Sequence, residues 1–214
     1  MSRRTRLVWL VEFACVTVIG VLPSTSAALW WLLVPIGAIV ALKYLEERWR
    51  AIEGHDQIKH QLSLLLSVLP ADGANIRCTY HVPLKTGWRR RVRLLQAFDY
   101  VGDQGGGGRL FAIDRGIIGL VLSSKETKVE NFRNDAEYRD RMTSGYNYTH
   151  EEVGRRRADR RSYLCDPLLD ENHTVLGLLY FDADHYGVFT LDHDNPRWRM
   201  IRAASAVIRA PLLN

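Results

Sequence analysis

Three cysteines in 214 residues, Cys15, Cys78 and Cys165, are too few and too scattered for a disulfide framework or a zinc ribbon. The soluble part therefore reads as a resident of a reducing compartment. The chain has no internal repeat and no low-complexity tract beyond the four glycines at 105–108. That glycine run lacks the Lys-Ser/Thr of a phosphate loop and does not open a helix after a strand, so it is given no nucleotide role. Charge of one sign is not in large excess. Lys and Arg number 29 against 24 Asp and Glu, and a net charge of +5 does not by itself mark a nucleic-acid binder. Mean hydropathy is −0.16, which excludes a polytopic membrane protein. Asp182, Asp184, His185, Asp192, His193 and Asp194 lie close in sequence, but their spacing matches neither a calcium loop nor a zinc site. No metal and no cofactor are expected.

What is present is unevenly spread. Hydrophobic residues make 47% of the chain and charged residues 25%, enough for one domain with an appendage. The appendage is the N-terminus. Residues 7–22 are apolar but for Thr17 and Glu12, and residues 27–42 are apolar throughout. Pro23-Ser24-Thr25-Ser26 links them as a turn. Each stretch spans about 24 Å as a helix, and flanking residues lengthen both toward the hydrocarbon thickness. Residues 1–43 are therefore expected to form a transmembrane helical hairpin. Arg3, Arg4 and Arg6 precede it, Lys43, Arg48 and Arg50 follow it, and the link carries no charge. Both ends and the domain are then expected on the cytoplasmic side of the inner membrane. A cleaved signal peptide is opposed by Glu12 inside the apolar run and by the second apolar segment directly behind it.

Residues 44–70 read as a helical stalk. Leu45, Trp49 and Ile52 form one stripe, and Ile58, Leu62, Leu65 and Leu69 form another, with Gly54 at the slip between them and Pro70 at the end. The stripes suit a self-association seam, and a homo-oligomer is expected; the second stripe could instead pack on the domain that follows.

Residues 71–214 read as one α+β domain. Strands are expected over 76–82, 91–98, 128–130, 162–169 and 174–183, with a hairpin turn at Asp170-Glu171-Asn172. A short helix or turn is expected at 117–122. Residues 132–160 form a polar and aromatic cap of short helices. Asn195 caps a last helix that has Pro196 at its first position and Trp198, Ile201 and Ile208 on its core face.

Three stretches carry a family resemblance. Asp114-Arg115-Gly116-Ile117-Ile118-Gly119-Leu120-Val121 resembles the Gly-x-x-Gly turn into a short helix of GAF domains. Lys128 to Asp135 resembles the strand and loop that follow it there. Arg161 to Leu168, then Val175-Leu176-Gly177-Leu178-Leu179-Tyr180-Phe181, resembles that family's strand ending in Pro-Leu and its Gly-containing partner. The resemblance covers residues 60–210 and implies an antiparallel sheet with flanking helices and a role in small-molecule sensing. The Asn-Lys-Phe-Asp-Glu set of cyclic-nucleotide-binding members is not reproduced, and no bilin-attachment Cys-His pair is present. The family's free-methionine-sulfoxide reductases need cap cysteines, and residues 132–160 hold none. The sequence thus reads as a sensor and not as an enzyme.

The cap is rich in arginine and tyrosine. Guanidinium forks match phosphate oxygens, and phenol rings stack on planar ligands. Phe132, Arg133, Tyr138, Arg141, Tyr146, Tyr148, Arg157 and Arg161 are the candidate ligand-binding residues. Acids interleave with the arginines, so a salt-bridged surface is the competing reading. A second basic run, Lys85, Arg89, Arg90, Arg91 and Arg93, suits either anionic headgroups or a protected sheet edge. No kinase, cyclase or DNA-binding segment follows the last helix, so output is expected through the hairpin, a partner or oligomerisation. The expected function is a membrane-anchored sensor of a small anionic ligand, a cyclic nucleotide above all. In architecture it resembles bacterial antiviral effectors that disrupt the membrane, with no nucleic-acid polymer as partner. The alternative is a ligand-free GAF-like scaffold for dimerisation or docking beside a membrane partner.

Overall fold

Alternation along one strand sorts this domain into two faces. Ile76, Cys78 and Tyr80 point one way and Arg77, Thr79 and His81 the other, because successive side chains of a strand alternate. In the computed structural model, residues 37–39, 42, 54–86, 91–103, 105–154 and 159–213 are described. The chain divides into two units, Met1–Glu53 and Gly54–Asn214. Of the first, only the helical residues 37–39 and 42 are described, so the expected hairpin and the Leu45, Trp49, Ile52 stripe lie outside the described residues. Among the described residues no helix is long and apolar enough to cross a membrane.

The second unit is a six-stranded antiparallel sheet in a GAF-like α+β arrangement. Its strands are β1 (Ile76–Thr86), β2 (Arg91–Gln96), β3 (Leu110–Phe111), β4 (Lys128–Asn131), β5 (Ser162–Leu169) and β6 (Val175–Ala183). They lie in the order β3-β2-β1-β6-β5-β4. The two-residue β3 is the one strand that sequence periodicity did not announce. It is too short to show a period, and it pairs only Leu94 with Phe111 and Leu95 with Leu110. The helices are α1 (54–68), α2 (Gly116–Ser124), α3 (Asp135–Gly145), α4 (His150–Gly154) and α5 (Pro196–Arg209).

One face of the sheet is covered by α1 and α5. Ile58, Leu62, Leu65 and Leu69 join Tyr80, Leu179, Phe181, Trp198, Ile201 and Ile208 in one buried cluster. The second stripe of the stalk is thus the domain's own core, which corrects its reading as a self-association seam. Arg197 fixes the end of α1 to the rest. It donates to the carbonyls of Pro70 (2.7 Å) and Val188 (2.5 Å) and pairs with Asp72 (2.8 Å). Asn195 caps α5 as expected, its side chain accepting from the amides of Arg197 and Trp198.

The other face carries the cap. Ile117, Ile118 and Val121 of α2, Tyr138 and Met142 of α3, and Val153 of α4 pack with Leu94, Tyr163, Cys165 and Leu178 of the sheet. Two helices therefore occupy the stretch expected as cap, with Asn134 capping α3 by accepting from the Glu137 amide. Cys78 and Cys165 are free and buried on opposite faces, as core residues.

Gly177 is where the sheet leaves room for a large ring. A Cβ at that position would overlap the ring of Tyr80, whose hydroxyl donates to the Leu176 carbonyl at 3.3 Å. Gly177→Ala is expected to cost about 1–3 kcal/mol through overpacking. Urea unfolding of the variant checks this, and an unchanged midpoint would contradict the packing argument.

Candidate functional site

Asp182 lies in a strand of otherwise apolar residues, and its side chain is 2% exposed. A carboxylate so placed needs partners, because an unpaired buried charge is costly. Register supplies the first one. Arg77 stands directly across from Asp182 on β1, and Tyr163 stands on its other side on β5. Arg77 grips the carboxylate with both ends of its fork, Nε to Oδ1 at 2.7 Å and Nη2 to Oδ2 at 3.2 Å. Arg160, just before β5, brings its Nε to 3.3 Å of the same Oδ1 and donates through Nη1 to the Asn75 carbonyl at 2.7 Å. Burial pushes the Asp182 carboxyl up from its ordinary pKa, and the hydrogen bond and charge of Arg77, then the charge of Arg160, pull against that rise. Burial also works against the charge of Arg77, but Asp182 outweighs it and holds the guanidinium protonated.

Aromatic rings continue the site along the same face. Arg77 lies over the ring of Tyr100, 4.0 Å from its centroid. Tyr163 and Tyr180 are tilted neighbours 6.4 Å apart, and the Tyr163 hydroxyl donates to the Arg160 carbonyl at 3.1 Å. His81 lies beyond them, edge-on to Tyr180 at 5.7 Å and to Phe111 at 5.1 Å. It is 1% exposed, its Nδ1 has no hydrogen-bond partner among the described residues, and burial lowers its pKa to about 3, so it is neutral. Across the gap stand Gly116, Ile117 and Ile118 of α2, Tyr138 and Met142 of α3, and Tyr148. Gly116 adopts φ +70°, and a Cβ there would overlap the Tyr148 phenol, so this glycine lets the ring lie against α2. Together these groups enclose a cavity of about 590 Å³ between sheet and cap.

Of the eight residues expected to bind ligand, Tyr138 and Tyr148 line this cavity. Phe132 is fully buried beneath them, edge-on to Tyr138 and Tyr163. Tyr146 is buried and donates to Glu130, and burial with that bond raises its pKa. Arg141 pairs with Glu130 and lies 3.8 Å from Glu137. Arg161 pairs with Asp135 at 2.5 Å. Arg133 is exposed, 5.9 Å from the centroid of the Tyr186 ring. Arg157 lies outside the described residues. The cap arginines Arg141 and Arg161 thus hold acids on the surface of the cap and do not line the cavity.

The residues that sequence reasoning passed over are Arg77, His81, Tyr100, Arg109, Tyr163 and Tyr180, while Asp182 was considered only within a metal-type acid and histidine group and Arg160 only as one of the cap arginines. A signal was available in two places. Asp182 interrupts an apolar strand, and Arg77, Thr79 and His81 form a polar face on a strand whose other face is apolar. The glycine loop also borders the cavity, through Gly105.

No family model matches the chain, and no curated protein matches its sequence. Similar solved structures do exist. A type II free methionine-R-sulfoxide reductase from Thermoplasma acidophilum aligns with a TM-score of 0.53 and 15% identity, over 76% of this chain and 94% of that one. A free methionine-R-sulfoxide reductase from Neisseria meningitidis, solved with its substrate, aligns with a TM-score of 0.51 and 15% identity, over 89% and 92%. The GAF domain of an Acinetobacter phosphoenolpyruvate-protein phosphotransferase aligns with a TM-score of 0.48 and 13% identity, over 99% and 94%. At such identities the first two show the fold. They also correct the sequence reading that the chain is no enzyme. Enzymes share this fold, and missing cap cysteines do not exclude catalysis of another kind.

The neutral His81 makes a prediction about stability. Its imidazole gains a proton near pH 6.5 in the unfolded chain but only near pH 3 in the fold. Its contribution is therefore intact above pH 6.5 and is lost as pH falls toward 3. His81→Gln should flatten the decline by up to about 1.4 kcal/mol per pH unit. Unfolding midpoints of both proteins across that range check it, and identical slopes would contradict it.

Proposed function

We propose that this chain is a membrane-anchored sensor whose GAF-like domain takes a small anionic ligand with a planar ring into the cavity between sheet and cap. A cyclic nucleotide is the ligand class that best combines those two features. The observation that carries the reading is the shared space itself. Tyr100, Tyr138, Tyr148 and Tyr180 offer ring faces in the same cavity where Arg77 and Arg160 offer guanidinium forks. Rings of this kind stack on flat ligands, and forks of this kind suit oxyanions. Occupancy would favour one arrangement of α2, α3 and Tyr148 over another, and only to the extent that the ligand prefers it. In this reading the hairpin of residues 1–43 anchors the domain at the cytoplasmic face of the inner membrane and carries the output, by oligomerisation or by disrupting the bilayer.

One observation favours a second reading, the docking scaffold. Two of the three arginines that line the cavity, Arg77 and Arg160 but not Arg109, already hold acids, Asp182 and Asp103. The full chain in detergent, heated with a panel of cyclic mono- and dinucleotides, separates the two. The sensor reading expects a rise of several degrees in midpoint with one class of nucleotide, and its loss in Tyr148→Ala. A folded protein that no nucleotide shifts would turn the choice to the scaffold.

A further inference from the structure

Two arginines converge on a carboxylate that does not belong to the sheet. Asp103 Oδ2 lies 2.5 Å from Arg77 Nη1 and 3.5 Å from Arg160 Nη2. The two acids of this cluster are held differently. Asp182 is built into a central strand and is 2% exposed. Asp103 is 26% exposed and sits in the connection between β2 and β3. Gly102 precedes it at φ +90°, and Gly105 and Gly106 follow at +82° and +107°. Val101 is tied to Cys78 by a pair of backbone hydrogen bonds, so a displacement of Asp103 would have to pivot at Gly102, where glycine alone takes the positive φ freely. With Asp103 withdrawn, Arg77 Nη1 and Arg160 Nη2 would face the cavity beside the rings of Tyr100 and Tyr180, where Arg109 also stands.

We propose that Asp103 is the built-in occupant of an oxyanion subsite formed by Arg77 Nη1 and Arg160 Nη2, and that a singly charged oxyanion of the ligand, phosphodiester or carboxylate, takes its place. This rests on the ligand-sensing reading and names the group that the site reads. The exchange replaces one negative charge with another, so the charge facing Arg77 and Arg160 is unchanged in a half-buried place. The incoming group meets the nitrogens that now face Asp103, while the Nε and Nη2 of Arg77 stay on Asp182. The ligand's ring would lie toward Tyr180, and the displaced loop would carry Gly105 from the cavity rim.

The test uses ringless probes, so its result does not depend on nucleotide recognition. The full chain in detergent is titrated with dimethyl phosphate or with acetate at fixed ionic strength, and the rise in thermal midpoint is followed. Asp103→Asn removes the competing charge and keeps the side-chain shape. It should lower the half-saturating concentration of at least one probe about tenfold, the size of one charge-assisted contact. The probe that gains more identifies the oxyanion as phosphodiester or carboxylate. Arg160→Gln in the Asp103→Asn background should abolish the gain. Asp103→Ser serves as the second variant if the first is poorly folded. Folded Asp103 variants that bind both probes no more tightly than the parent would overturn the proposal, even if a nucleotide binds elsewhere in the cavity.

Discussion

The carboxylate of Asp182, buried under the cap at the centre of an antiparallel sheet, is the constraint on which the site depends. It cannot stay there alone, and the cations that join it bring the rest. Arg77 reaches it from the neighbouring strand and lays its other face on Tyr100. Arg160 reaches it from the segment before β5 and is tied to the Asn75 carbonyl. Their remaining nitrogens gather Asp103 and so draw the β2–β3 connection over the cavity. A polar row is thereby fixed on a face that is otherwise aromatic and aliphatic. The sheet's opposite face is mostly apolar against α1 and α5, but it too holds a buried carboxylate, Asp166, which accepts from Ser205 and pairs with Arg202 of α5.

The two faces divide stability from recognition. The core under α1 and α5 is closed by Leu, Ile and Phe side chains and by the three hydrogen-bonding contacts of Arg197. The cap is thinner. Its α4 is five residues long, and α3 is mostly polar, with Tyr138 and Met142 as its buried residues. Elements with few buried apolar contacts open at lower cost than a core. A ligand that entered between cap and sheet would act on the part of the domain that is easiest to rearrange.

The architecture was largely legible in the sequence because its signals are local. β5 and β6, the Asn195 cap, the core face of α5 and the short helix at Gly116 each follow from a few neighbouring residues. The site was legible only in part, because register assembles it. Arg77 and Asp182 are 105 residues apart, and only the pairing of β1 with β6 makes them neighbours. The dense arginines of the cap drew attention by composition, yet Arg141 and Arg161 serve Glu130 and Asp135. Tyr138 and Tyr148 were recognisable as phenol rings of the arginine- and tyrosine-rich cap, but Tyr146, placed with Tyr148 beside Gly145 by the same reasoning, donates to Glu130 and does not line the cavity. The stripe at Ile58, Leu62, Leu65 and Leu69 shows the same limit. Its helical period was clear, but the period does not say which surface covers it. Enzyme or sensor was beyond the sequence for a further reason, since one fold serves both.

A double-mutant cycle on Arg77 and Asp182, read as unfolding free energy of the full chain, tests the central claim most directly. Arg77→Met should cost about 3 kcal/mol, because it strands a buried carboxylate with Arg160 alone. Asp182→Leu in that background should recover much of the loss, giving a coupling of about 2 kcal/mol. Costs that simply add, to within about 0.5 kcal/mol, would show that the pair does not organise the site.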